Sequence, residues 1–229
     1  MENLLTFDKY DEIILCKYYP LKFGDIKMFF VSFIMWTSWF NIIRLSSLPL
    51  KPAHARVSKD EEFDLKNRFT AFCHGLSLML GAIYTYYIVP GSCGSPNKRY
   101  DKEMIYWSVG YMFYDFFAMW YYGLLDKAMT IHHWICIIGM SYPLTYGMSA
   151  NYIVMGMFVA EISNPPMHIK GILRVYGSRY TKCYESMEIS FLVLYLFGRI
   201  FNGTSLVYLT CSCEHNAYIV KASSIGLII

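Results

Sequence analysis

The sequence predicts an all-α fold, a polytopic membrane bundle of about six transmembrane helices, and three observations carry that prediction. The first is composition. Of 229 residues, 55% are hydrophobic and only 16% charged, with a mean hydropathy of +0.31. A typical globular domain carries about 25% charge, so too little polar surface is available to coat a water-soluble body. These numbers exclude a disordered chain and a disulfide-rich secreted module. The second observation is a series of apolar runs, each near the roughly 20 residues needed to cross about 30 Å of hydrocarbon. The third is that no ten-residue alternation between turn clusters is visible, as a membrane β-barrel would require.

The runs follow in order. Segment 1–26 is extramembrane, with four acids among its first twelve residues and no basic stretch. It therefore reads as neither a secretory signal nor a transit peptide. The first span, Lys27–Leu48, opens a unit over 27–66 that ends in a connecting loop and can act as an uncleaved anchor. Residues 67–211 then hold five further spans: Phe69–Val89, Glu103–Leu125, Ile131–Tyr146, Tyr152–Ile169 and Glu188–Cys211. Residues 212–229 form a C-terminal tail without a retention or prenylation signal. Six spans leave short connections and no room for a separate soluble domain.

Charge says little about orientation or partners. The side holding both termini carries 8 basic residues and the opposite side 10, too small a bias for the positive-inside rule. A net charge of +3, dispersed along the chain, excludes nucleic acid as a partner. Seven cysteines are scattered. Cys73 and Cys136 fall inside spans and read as small apolar fillers. Cys211-Ser-Cys213-Glu-His215 lacks a second ligand pair at usable spacing, so no metal is expected. Asn202-Gly-Thr204 has the form of a glycosylation acceptor but lies within a span, out of the transferase's reach. Trp36, Trp39, Trp107, Trp120 and Trp134 lie in or near span ends, which predicts aromatic anchoring at the interface.

The informative residues are polar ones at membrane depth. An ionisable side chain there costs about 2.5–3.5 kcal/mol on the insertion scale, so it faces a bundle interior or a cavity. On the second span Asn67, Thr70, His74, Ser77 and Gly81 recur at helical steps and share one face. The third span carries Tyr111 and Asp115, and the fourth opens on His132 and His133. Glu161, Asn164 and His168 share a face of the fifth, and Glu188, Tyr195, Arg199 and Asn202 one of the sixth. Such stripes often serve only as packing glue. Two histidines with an Asp and a Glu, however, are also the residue types of general acid–base chemistry. Pro165 and Pro166 each remove a backbone donor and free the carbonyl four residues back, those of Glu161 and Ile162. The fifth span must break beside Glu161.

Taken together these residues resemble the TLC-domain family. The resemblance rests on Asn67-Arg68…His74, Gly110-Tyr-Met-Phe-Tyr-Asp115, His132-His133 with Gly139, and Glu161-Ile-Ser-Asn-Pro165 with His168 and Gly177. It covers about 60% of the chain in the right order and points to the small TLC-domain-containing branch. It implies a bundle around a lipid-accessible cavity, in the endoplasmic reticulum. The ceramide synthase branch would imply acyl transfer from acyl-CoA, with His132 and His133 as catalytic residues. This chain departs from that branch where it has Glu161-Ile-Ser-Asn-Pro165-Pro166.

Three functions are therefore expected in turn. The first is a non-catalytic lipid-binding or lipid-homeostasis protein, with bound lipid rather than a cofactor, whose cavity is lined by His74, Asp115, Glu161, Asn164, His168 and Arg199. The second is a structural accessory subunit of a larger membrane assembly, for example in the mitochondrial inner membrane, with other subunits holding segment 1–26. The third is an acyl-CoA-dependent N-acyltransferase using His132 and His133.

Overall fold

The structure, a computed structural model, describes residues 23–46, 58–88 and 91–226. Segment 1–22, which makes up most of the expected N-terminal unit, lies outside the described residues, as do Lys51 and Arg56 of the first connection. Among the described residues the chain is helical, with α1 (Phe23–Leu45), α2 (Lys59–Ile83), α3 (Arg99–Tyr121), α4 (Lys127–Tyr146), α5 (Ala150–Glu161), α6 (Asn164–Val175), α7 (Lys182–Tyr195), α8 (Gly203–Ser212) and α9 (Tyr218–Gly226). A π-helical turn, Tyr84–Ile88, extends α2, and another, Leu196–Asn202, joins α7 to α8.

Local chemistry sets the starts and stops. Ser58 and Glu61 form a capping box at α2, with Glu61 N–H donating to Ser58 Oγ (3.2 Å) and Ser58 N–H to Glu61 Oε2 (2.9 Å). Asp126 caps α4 through the Met129 N–H at 2.7 Å, and Thr181 caps α7 through Tyr184 N–H at 3.3 Å. The expected break in the fifth span falls where the prolines put it. The helix ends at Glu161, and the next begins at Asn164 with the prolines in its first turn, where their missing N–H groups have no helical partner to lose.

The spans alternate in direction, with α5 and α6 counted as one and α7 and α8 as another, and paired contacts show how the first three lie. Along α1 and α3, Ser32 meets Trp107, Trp36 meets Tyr111, Phe40 meets Tyr114 and Arg44 meets Tyr122. The two therefore run the same way, with α2 returning between them. α5 occupies the centre and is buried almost all round, with Val154, Met155, Met157, Phe158 and Val159 each under 9% exposed. That explains why the chain is apolar there on every face. Around α5 the core joins Leu78, Ile105, Val109, Met140 and Leu206 from the neighbouring helices.

Among the described residues three helices are long and apolar enough to cross a membrane: Ile26–Leu45, Lys59–Ile88 and Lys182–Ser212. The length-and-composition test thus supports three of the six expected spans. Much of their surface is apolar and exposed, including Phe30, Ile34, Ile42, Leu192, Val193 and Phe201, as a helix facing lipid requires. Two sequence expectations differ from what is found. Trp36 is not at an interface; it is 3% exposed and packs edge-on against Trp107 and His74. The stretch past Ser212 is more than a tail, because α9 folds back against α4, α5 and α8 and buries Val220.

The α1–α3 contact is close because Gly110 has no side chain. A Cβ there would lie 2.5 Å from Ser32 Oγ and 2.8 Å from the Phe33 backbone nitrogen. Gly110→Ala is expected to push α1 off α3 and lower stability by about 1–3 kcal/mol, read as a lower unfolding midpoint in detergent. An unchanged midpoint would contradict this packing.

Candidate functional site

One group of polar residues lies in the half of the bundle away from the loops 91–98 and 213–217. Asp115 on α3 is their hub. Its Oδ1 accepts from Asn67 Nδ2 on α2 at 2.7 Å, and its Oδ2 lies 3.0 Å from His133 Nε2 on α4. Asn67 is oriented in turn by Tyr114, whose hydroxyl donates to Asn67 Oδ1 at 2.8 Å. His133 Nδ1 lies 2.8 Å from the Met129 carbonyl oxygen. A carbonyl oxygen can only accept, so Nδ1 carries a proton. The Nε2–Oδ2 contact needs one more. A single proton therefore lies between His133 and Asp115, and the pair is neutral as a whole, the form in which two ionisable groups are least costly at membrane depth.

The adjacent histidine behaves differently. His133 is 1% exposed, whereas His132 is exposed and its ring stands at 84° to that of His133. His132 meets Cys136 one turn on, with Sγ 3.7 Å from Nε2. Successive residues on a helix point about 100° apart, so the two histidines do not converge on one point.

A second cluster surrounds the break between α5 and α6. Glu161 Oε2 accepts from Asn164 Nδ2 at 2.7 Å. The carboxylate reaches α2 because Gly75 makes room; a Cβ there would stand 2.8 Å from Oε2. Gly198, in the π turn, lets that turn lie directly on the C-terminal end of α5, 2.9 Å from the Val159 carbonyl by the same measure. Arg199 beside it is thereby brought within electrostatic range of Glu161, His132 and Cys136. Its guanidinium also sits over the Tyr195 ring at 5.9 Å. Tyr86 of the first π turn donates to Asn202 Oδ1 of the second at 2.9 Å, so the two irregular turns brace each other. π turns of this kind are frequent at functional sites.

His74 and His168 complete the set. His74 is 2% exposed, stacks on Tyr111 with centroids 3.7 Å apart, and lies within electrostatic range of His168. His74 Nε2 and His168 Nδ1 are buried with no hydrogen-bond partner among the described residues. A buried polar atom left unpaired costs about 1–3 kcal/mol. Two in one place mark a position suited to a polar guest. Among the described residues no group of three or more His, Cys, Asp or Glu is arranged to hold a metal. The depression lined by Arg179, Thr181, Tyr184 and Glu188 at the α6–α7 turn shares no residue with either cluster.

α4 packs on α3, α5 and α9, and α7 packs on α6, while α4 and α7 share at most a marginal contact. Exposed Ile131, Trp134, Ile135 and Ile138 recur along one side of α4, and Ile189, Leu192, Leu196 and Ile200 along one side of α7 and its π turn. Arg199 lies within electrostatic range of His132, Cys136 and Glu161. Farther along α4, α9 packs on it, with Ser223 against Gly139.

The stripes read from the sequence thus place His74, Asp115, His133, Glu161, Asn164, His168 and Arg199 inside, with Pro165 and Pro166 at the break. Tyr114 escaped notice although it adjoins Asp115. So did the disulfide between Cys93 and Cys213, whose signal was two cysteines in connections on the same side of the bundle.

The single-proton pair has a test. Asp115→Ala strands both Asn67 Nδ2 and His133 Nε2, for a loss of about 1–3 kcal/mol per stranded group. Asp115→Asn can accept from Asn67 and donate to an unprotonated Nε2, keeping both bonds. Thermal unfolding in detergent should therefore show a much smaller loss for Asp115→Asn than for Asp115→Ala; equal losses would refute the proton count.

The sequence model of the TLC domain matches residues 64–227. That interval runs from the first turns of α2 through α9 and contains every residue of both clusters. No solved structure matches the chain. The chain is a membrane protein that belongs to the TLC-domain family.

Proposed function

We propose that the protein binds a membrane lipid through the lateral gap between α4 and α7, in a role that is lipid handling rather than catalysis. The acyl portion would lie along Ile135, Ile138, Leu192 and Leu196, and the polar end would meet His132, Glu161 and Arg199. The observation that carries this reading is a charged and hydrogen-bonding cluster of Glu161, Asn164 and Arg199 beside helices α4 and α7, whose exposed residues are largely apolar and which share at most a marginal contact. Ionisable residues at that depth normally face a polar pathway or one another. A lipid is the ligand whose two ends match both surfaces.

An acyl transfer from acyl-CoA using both histidines fits the geometry less well. His133 has both ring nitrogens engaged, with Met129 O and Asp115, which holds its tautomer but leaves no nitrogen to take a substrate proton. His132 has a thiol beside it rather than a carboxylate to orient it. Residence in the endoplasmic reticulum accords with this reading, and no further subunit is needed for it.

The test is lipid analysis of purified protein. A hydrogen bond to a charged group is worth about 1.5–3 kcal/mol, so Arg199→Ala should reduce a co-purifying lipid by roughly 10- to 100-fold in affinity. Glu161→Ala should act in the same direction. Wild type and both variants carrying the same lipid in the same amount would end the proposal. In parallel, an assay with acyl-CoA and a long-chain amine should give no product that His132→Ala abolishes.

A further inference from the structure

We infer that the end of the bundle carrying the Cys93–Cys213 disulfide faces the oxidising, non-cytosolic side of its membrane, so that the α4–α7 gap and its polar residues open into the cytosolic leaflet. The use made of that gap rests on the lipid-binding reading above; the orientation does not.

The support for this is where the disulfide lies. Cys93 sits in the connection between α2 and α3, and Cys213 in that between α8 and α9, 120 residues apart in sequence. Three connections meet at this end. Asn97 accepts from Ala150 N–H at 2.9 Å and donates to the Pro143 carbonyl at 2.6 Å. Ser149 Oγ donates to Asn216 Oδ1 at 2.6 Å. The 91–98, 147–150 and 213–217 connections therefore form one layer on one side. Disulfides form and persist in oxidising compartments and are rare where cytosolic reductants act. A bond in this layer places the whole layer away from the cytosol.

The distribution of charge does not carry the orientation. Among the described residues, the disulfide end holds Lys27, Lys98, Arg99, Lys102 and Lys221. The other end holds Arg44, Lys59, Lys66, Arg68, Lys127, Lys170, Arg174, Arg179 and Lys182. Over the full sequence, with Lys9, Lys17 and Lys22 before α1 and Lys51 and Arg56 after it, the totals are 8 and 11, too small a bias for the positive-inside rule to assign a side; the orientation rests on the disulfide.

The position of the gap follows. α4 starts at Lys127 on the basic end, so His132 and Cys136 lie in the half of the bundle nearer that end, and α7 enters from the same end at Lys182. On the disulfide half α9 occupies the space between α4 and α8.

Cys183 supplies the test, because it is free and exposed at the basic end. The full chain in sealed vesicles with the cytosolic face outward is treated with a membrane-impermeant maleimide polymer. Cys183 should be labelled without detergent, and the band should vanish in Cys183→Ser. Two further labels should appear only when both detergent and a reductant are added, and they should be missing from a Cys93→Ser/Cys213→Ser chain. Labelling of Cys183 that requires detergent would overturn the inference. So would Cys93 and Cys213 reacting before reduction. Neither readout depends on any lipid, so failure here is distinct from failure of the lipid-binding proposal.

Discussion

Asp115 holds three helices at one depth. One carboxylate oxygen accepts a hydrogen bond from α2, the other shares a proton with α4, and α3 carries them both. In water such bonds are nearly balanced by solvent. In a bilayer, where lipid tails offer no competing partners and apolar packing alone discriminates poorly between helices, polar contacts of this kind fix which helix faces which. The rotation of α4 that puts His133 inside necessarily turns His132 out. The exposed histidine beside the lateral gap is thus a consequence of the buried one.

The break after Glu161 acts on the other half of the site. An unbroken helix from Ala150 to Val175 would hydrogen-bond the carbonyls that Pro165 and Pro166 leave open and would carry its side chains past the gap in regular register. Instead the chain stops, Asn164 turns back to Glu161, and α6 starts afresh with His168 facing α2. Irregular backbone at this depth is tolerated only where protein or a cavity supplies partners. Here Gly75 and Gly198 admit the carboxylate and the π turn. Small residues on two neighbouring helices make the irregularity possible, and the irregularity is what brings Arg199 to Glu161.

Much of this was legible in the sequence. The helical stripe of Asn67, His74 and Ser77 did face a partner helix, because period and burial are linked for any helix inside a bundle. The doubled proline marked its break to the residue, since a missing N–H is a local fact. What could not be read was long-range. Nothing in His132-His133 says which of the two points inward; that depends on where Asp115 stands on another helix. Trp36 has the character of an interface residue, yet His74, Trp107 and Tyr111 from two other helices enclose it in the core. The Cys93–Cys213 pair spans 120 residues, and only the helix directions bring its halves together. The π turn at Leu196–Asn202 left no periodic trace, because one widened turn shifts the register without changing the composition.

The seating of α9 between α4 and α8 has a consequence for what the protein can do to a bilayer. On the lipid-binding reading, α9 would stop a lipid that entered between α4 and α7 from passing along α4 toward the disulfide end; the site would be a berth and not a corridor, suited to holding or presenting a lipid of one leaflet.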